Sequence, residues 1–243
     1  MIEKNTNKFN VLVKNELEKI SIFRPVPKYN KQGQYTQFRG FTVVASIYQQ
    51  DKEKWRQFYD FINELDDIKQ CFTLLPPESY HMTLYDLYSE NETSTWKPFI
   101  ADKLNQIMDL KEPIEAADIK PKAIVDKVAA TKVLVVDLKI KEESETAILS
   151  LAEQLSLQRH LPKHGFHLTL GYKYKEASAI STDTLNMLAE KLNELFEEIN
   201  FDSAKLCYFH DMKRFIPWDG VSNPWEYNPE FLNENEEEFR PKF

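Results

Sequence analysis

The chain has 243 residues, 42% of them hydrophobic and 29% charged, enough to bury a sizeable core and unlike a disordered composition. With only 5 glycines it contains no P-loop and no dinucleotide fingerprint. Its net charge of −8 disfavours broad gripping of a long nucleic acid, which rewards basic surfaces, and leaves room for a small nucleotide or an oligonucleotide end in a local basic pocket.

In chain order, a helix is expected near Val11 to Ile20, stopped by Pro25 and Pro27, with a turn-prone stretch from Asn30 to Tyr35. The β-branched run Phe41 to Tyr48 is the first strand. Trp55, Phe58, Tyr59, Ile62 and Leu65 then recur at helical spacing. Pro76-Pro77 make a rigid turn into a strand from Tyr80 to Leu87, and a helix near Trp96 to Leu110 follows. The second half repeats this order: a strand from Val133 to Ile140, an amphipathic helix from Glu142 to Leu157, a break at Pro162 and Gly165, and a strand from Phe166 to Tyr174. A helix over about Thr182 to Ile199 and a last strand from Ala204 to Phe209 complete it, and the acidic run Asn233 to Glu238 reads as a solvated tail.

The expected division is an extension over 1–36, a bilobal domain over 37–215 with lobes at about 37–115 and 116–215, and a turn and acidic tail over 216–243. Two pseudo-equivalent lobes, each with antiparallel strands and helices flanking them, form an internally duplicated α+β fold. Cys71 and Cys207 suggest no disulfide framework and fit a reducing compartment. The N-terminus lacks the profile of a signal peptide, and no apolar run approaches the ~18 residues needed to span a bilayer. The expectation is a cytoplasmic monomer with no membrane partner.

Each second strand carries the same five-residue pattern, Tyr80-His81-Met82-Thr83-Leu84 and Phe166-His167-Leu168-Thr169-Leu170, with the histidines 86 residues apart. Strand alternation puts His81 with Thr83, and His167 with Thr169, on one face, while Tyr80, Met82, Leu84, Phe166, Leu168 and Leu170 anchor the other to the core. A single such histidine reads as a satisfied strand residue beside a threonine chosen for β-propensity. Two matching contexts among 5 histidines, in a repeated architecture, read as a site. One imidazole can take a proton from an attacking water or hydroxyl, a second can protonate the leaving oxygen of a phosphodiester, and each threonine can donate to a non-bridging oxygen. No metal and no cofactor is needed.

The paired His-x-Thr-Leu motifs resemble the 2H phosphoesterase superfamily, which includes RNA 2′,3′-cyclic phosphodiesterases and enzymes acting on 2′,5′-linked oligonucleotides. The resemblance covers roughly Gly40 to Phe215. It implies two antiparallel sheets around a central cleft with helices outside, and His81, Thr83, His167 and Thr169 as the catalytic set. The Phe38-Arg39-Gly40-Phe41-Thr42 start and the Pro217-Trp218-Asp219-Gly220 turn look like a less characterised branch.

Around the motifs, strand parity brings Tyr85 to the histidine face, gives Gly171 the equivalent place as open space, and turns Tyr172 and Tyr174 to the core. Tyr35, Phe38 and Trp218 are aromatic candidates to stack a base, and Arg39, Lys173 and Arg214 are candidate charges for a phosphate. The expected substrate contacts are Tyr85, Phe38, Arg39 and Trp218. The series His160, His164, His167 does not read as a metal site, because Pro162 and Gly165 break any helix that would align it and no acid or cysteine stands at ligand spacing. His210 reads as structural. His167 is expected to act as base and His81 as acid, in a hydrolase of a cyclic nucleotide phosphate or a short 2′,5′- or 3′-terminal oligonucleotide, with a role in RNA processing. The alternative is a non-catalytic nucleotide-binding module on the same fold.

Overall fold

The computed structural model of the protein describes residues 26–47, 49–93, 95–175 and 179–225. The helix expected near Val11 to Ile20 and the acidic run Asn233 to Glu238 lie outside them. The strands are β1 (Gly40–Ser46), β2 (Phe72–Leu74), β3 (His81–Ser89), β4 (Lys122–Ala130), β5 (Val133–Ile140), β6 (His167–Lys173), β7 (Ile199–Asn200), β8 (Lys205–Phe209) and β9 (Ile216–Pro217). The helices are α1 (Lys52–Glu64), α2 (Asp66–Lys69), α3 (Trp96–Ala117), α4 (Glu142–Gln154) and α5 (Thr182–Leu195). The strands form one curled antiparallel sheet in the order β7-β4-β5-β6-β3-β1-β8-β9, with β2 added on β6. The two sheets expected around the cleft are the two halves of this sheet.

The halves do not divide along the chain. β2 comes from the N-terminal part but pairs with β6, while β8 comes from the C-terminal part but pairs with β1 over five residues. The segment after residue 215, expected as a turn and tail, continues the sheet as β9 and buries Trp218 at 3% exposure.

The helices form where the apolar period is 3.6. In α1, Trp55, Phe58 and Ile62 are buried on one face, and Trp55 meets Tyr80 (ring centroids 5.7 Å) and Phe196 (4.5 Å). In α4, Ile148, Leu151 and Ala152 are buried, and Glu142, Glu143 and Glu145 sit in the first turn, where carboxylates oppose the positive end of the helix dipole. α5 is capped by the Ser181 side chain, which accepts from the Thr184 N–H at 3.0 Å. α3 is longer than the sequence suggested: it runs through Pro113 to Ala117 because Ile107 and Ile114 stay on its buried stripe, and it ends at Asp118 in the left-handed region. Cys71 and Cys207 are both buried and free. Among the described residues no helix is long and apolar enough to cross a membrane.

β4 was not expected. Its inward residues Ala123, Val125 and Val128 do not alternate cleanly, because a register shift at Asp126 inserts an extra residue opposite β5.

The two halves join where β3 meets β6, and the ladder between them has one register pair, Met82 opposite Leu168. Both side chains are 0% exposed. Leu168→Ala is expected to cost about 2–5 kcal/mol, as for a buried large-to-small change, read from the urea midpoint. A loss below about 1 kcal/mol would show that this contact does not hold the halves together.

Candidate active site

Residues directly opposite in an antiparallel pair point the same way, so Met82 and Leu168 share the core face. Their neighbours in sequence therefore share the concave face: His81 stands opposite Thr169, and Thr83 opposite His167. The two histidines lie on a diagonal, for which a regular ladder gives about 7–8 Å between Cα positions and somewhat less between Cβ atoms. The sheet thus brings together the four residues that the motifs singled out.

Each ring is held in the same way. His81 Nδ1 lies 2.6 Å from the Ser79 carbonyl oxygen, and His167 Nδ1 lies 3.1 Å from that of Gly165. A carbonyl only accepts, so each Nδ1 carries the hydrogen and each Nε2 is the ring nitrogen left for chemistry. The turn before each motif supplies this oxygen. Ser79 closes a 3-10 turn after Pro76, and Gly165, at φ 78°, closes one back to the Pro162 carbonyl at 3.2 Å.

The electrostatics of the pair are unequal. His81 is 9% exposed, and the Phe215 ring lies against it at 3.9 Å between centroids. Burial pushes its pKa down to about 4; the Ser79 carbonyl pulls the other way, and the charges of His167 and Lys28 add to the fall. His167 is more open.

Just past each threonine the strand departs from simple alternation, and in the same way twice. Between β3 and β1 the register passes from Val44–Thr83 to Val43–Tyr85, leaving Leu84 as an extra residue. Between β6 and β5 it passes from Val135–Thr169 to Leu134–Gly171, leaving Leu170 extra. The leucine that ends each motif is a bulge, and a bulge reverses the parity of the residues beyond it.

Tyr85 is consequently not in the cleft, contrary to its expected place. It is fully buried, and its hydroxyl donates to the Ile148 carbonyl of α4 at 2.7 Å. Gly171 does not open space beside a ligand either: a Cβ there would lie 2.7 Å from the Thr73 carbonyl oxygen of β2, so glycine is what lets β2 approach. The histidine side instead receives Asp86 and Tyr172, each five residues past its histidine. Asp86 is exposed, whereas Tyr172, expected in the core, is buried at 5% exposure with its ring against Tyr29 at 5.7 Å.

The other expected substrate contacts have partners of their own. Arg39 is engaged by Glu90: its Nε and Nη2 donate to Oε1 at 2.8 and 2.5 Å, and its backbone N–H donates to Oε2 at 2.8 Å. Trp218 packs edge-on against Phe41 at 5.0 Å and donates from Nε1 to the Ser222 carbonyl at 2.7 Å, so it belongs to the core. Phe38 is 3% exposed, stacked on Phe209 at 5.8 Å. Tyr35 is tied by its hydroxyl to the Thr73 carbonyl at 3.4 Å, and Arg214 is exposed. His160 donates from Nδ1 to the Asp86 carbonyl at 2.7 Å and accepts from Arg159 Nε at 3.2 Å. Among the described residues no three His, Cys, Asp or Glu side chains are grouped to hold a metal ion.

Sequence reasoning missed Asp86, Tyr172, Phe215 and Lys28. The shared offset of five from each histidine was the signal for the first two.

Comparison with known proteins gives a match of residues 28–133 to the family described as "2H-phosphodiest: Domain of unknown function (DUF1868)". Among solved structures, the conserved protein of unknown function ATU0111 from Agrobacterium tumefaciens str. C58 is 18% identical with a TM-score of 0.60, over 80% of this chain and 92% of that one. This likeness shows the fold. E. coli LigT in apo form is 11% identical with a TM-score of 0.45, over 76% and 96% of the two chains. Kluyveromyces marxianus Usb1 with uridine monophosphate is 12% identical with a TM-score of 0.37, over 75% and 98%. No curated protein matches.

The depressed His81 pKa makes a stability prediction. The unfolded chain protonates this histidine below about 6.5, the folded chain only below about 4, so its contribution is intact above pH 6.5 and is lost as pH falls from 6.5 to 4. The loss is roughly 3 kcal/mol at most. His210, also held down to about 4 by burial and the Arg39 charge, adds to the same slope. Urea unfolding at pH 7.5 and pH 4.5 should therefore show a smaller pH difference in His81→Gln than in the wild type; equal differences would contradict the burial of His81.

Proposed function

We propose that this chain, whose resemblance to the 2H phosphoesterase superfamily is carried by its family match and its two motifs, is a metal-independent phosphodiesterase acting on a cyclic nucleotide phosphate or a short oligonucleotide end. The observation that carries the reading is the diagonal pair of histidines over the Met82–Leu168 contact, each with Nδ1 fixed on a carbonyl.

In the proposed reaction, water attacks phosphorus in line with the leaving ribose oxygen. One imidazole Nε2 removes the water proton as the new P–O bond forms, and the other ring, protonated, gives its proton to the leaving oxygen as the old P–O bond breaks. Thr83 and Thr169 donate to the non-bridging oxygens, where charge builds up. The burial of His81 favours its neutral form at pH 7 and so favours it as the base. This reverses the assignment expected from the sequence and gives His167 the acid role. The net charge of −8 supports a small or terminal substrate over a long nucleic acid.

The test is a panel of 2′,3′-cyclic nucleotides and 2′,5′-oligoadenylates with EDTA present. Turnover is expected to survive EDTA and to fall about 10²–10⁴-fold in His81→Ala and in His167→Ala. Ligand binding with no turnover in the wild type would support a binding module instead.

The rate is expected to be bell-shaped in pH, because one ring must be neutral and the other charged. With His81 as base, the acidic limb of kcat/KM is displaced below the ordinary histidine value of 6.5, towards 4. A rate that climbs without limit into alkali would argue for another nucleophile.

A further inference from the structure

The segment before β1 crosses the concave face as a strap bolted at both ends. Val26 N–H donates to Asn91 Oδ1, just past β3, at 2.9 Å. Further along, a turn at Asn30 to Gln34 is fastened to β2, in the other half of the sheet, where Thr73 Oγ1 donates to the Gly33 carbonyl at 2.5 Å. A bridge between Tyr29 and Tyr35 and a bond from Thr36 N–H to the Lys28 carbonyl at 3.2 Å hold the strap's own shape. Its path takes Lys28 over the seam between the halves.

The Lys28 ammonium lies 5.0 Å from the centre of the Phe38 ring, in one half, and 5.3 Å from that of Tyr172, in the other. Its other neighbours on this face are charged or titratable: Asp86 from β3, and His81, whose own proton affinity the lysine charge lowers. Among the described residues no carboxylate reaches it at ion-pair distance. Two aromatic faces stabilise a cation only partly when it has left water, and its three donors still require acceptors. A phosphate between the histidines would supply them.

We propose that Lys28 is a substrate-binding residue that holds the anionic oxygens of the phosphate in the cleft, an assignment that rests on the phosphodiesterase reading above. The chemistry favours an ammonium here: a point charge on a flexible stem can follow the oxygens as the phosphorus passes through its five-coordinate geometry. The same charge adds, behind burial and the His167 charge, to what keeps His81 unprotonated. Desolvation holds the lysine itself below its ordinary value, and the nearby Asp86 carboxylate opposes that fall.

The test uses the full chain, with inorganic phosphate as the binding probe in calorimetry and the cyclic-nucleotide assay for turnover. Lys28→Met keeps the aliphatic stem against Phe38 and Tyr172 and removes the charge; Lys28→Gln serves if the first variant misfolds. Phosphate binding is expected to weaken about 10- to 100-fold, the size of a lost charged hydrogen bond, and to recover largely in Lys28→Arg. The acidic limb of kcat/KM is expected to move to higher pH as the repulsion on His81 is lifted, a shift that a structural role for Lys28 would not produce. Unchanged phosphate binding and an unmoved acidic limb would overturn the assignment while leaving the phosphodiesterase reading intact. Phosphate binding that depends on Lys28, in a protein that turns over no diester, would keep the assignment and sink the enzyme reading.

Discussion

Met82 and Leu168 hold the two halves of the sheet in register, and the placement of the polar quartet depends on that contact. A single register pair is little hydrogen bonding for such a junction. What fixes it is the burial of both side chains at 0% exposure, together with lateral support: Leu75 N–H donates to the Leu170 carbonyl at 2.8 Å, and β5 pairs with β6 on the far side. A slip of either strand by one residue would turn that strand's histidine into the core and its apolar partner out of it. The penalty for exposing the latter and burying the former is what specifies the register. Structure and candidate chemistry therefore share one constraint, since the apolar partner in each motif is as necessary as its histidine.

How far the sequence revealed this depends on parity. His81, Thr83, His167 and Thr169 could be assigned to one face because alternation holds from each histidine to its threonine. It fails at Leu84 and Leu170, where the extra residue is set by the neighbouring strand's register, which no single-strand pattern contains. That is why Tyr85 was expected on the histidine face but is found fully buried against α4. Arg39 and Trp218 were chosen for chemical type, but their partners, Glu90 and Phe41, are both distant in the sequence. Helices with a strong 3.6 period were legible, including the apolar stripe of α1, and the strand that lacked a clean period, β4, was not.

Charge is distributed unevenly for a chain that is acidic overall. Arg39, close by on the approach to β1, is neutralised by both oxygens of Glu90. Lys28, His81 and His167 lie near enough for the charges of Lys28 and His167 to act on His81, with Asp86 as the carboxylate near Lys28. A local group of cations of this kind does not make the surface attractive to a polyanion, because its potential falls off within about 8 Å at physiological ionic strength. Phe38, Phe209 and Phe215 pack in a row beside it, and Phe215 lies against His81.

The exchange of β2 and β8 between the halves bears on how the molecule is made. β1 is translated well before β8, and one of its two edges stays bare until β8, more than 150 residues later, has left the ribosome. Until then an apolar strand such as Phe41 to Ala45 has an open edge, the condition under which nascent chains mispair with one another. The first half cannot mature as an autonomous unit ahead of the second. Closure must come late and involve the whole chain, as expected of topologies dominated by distant contacts.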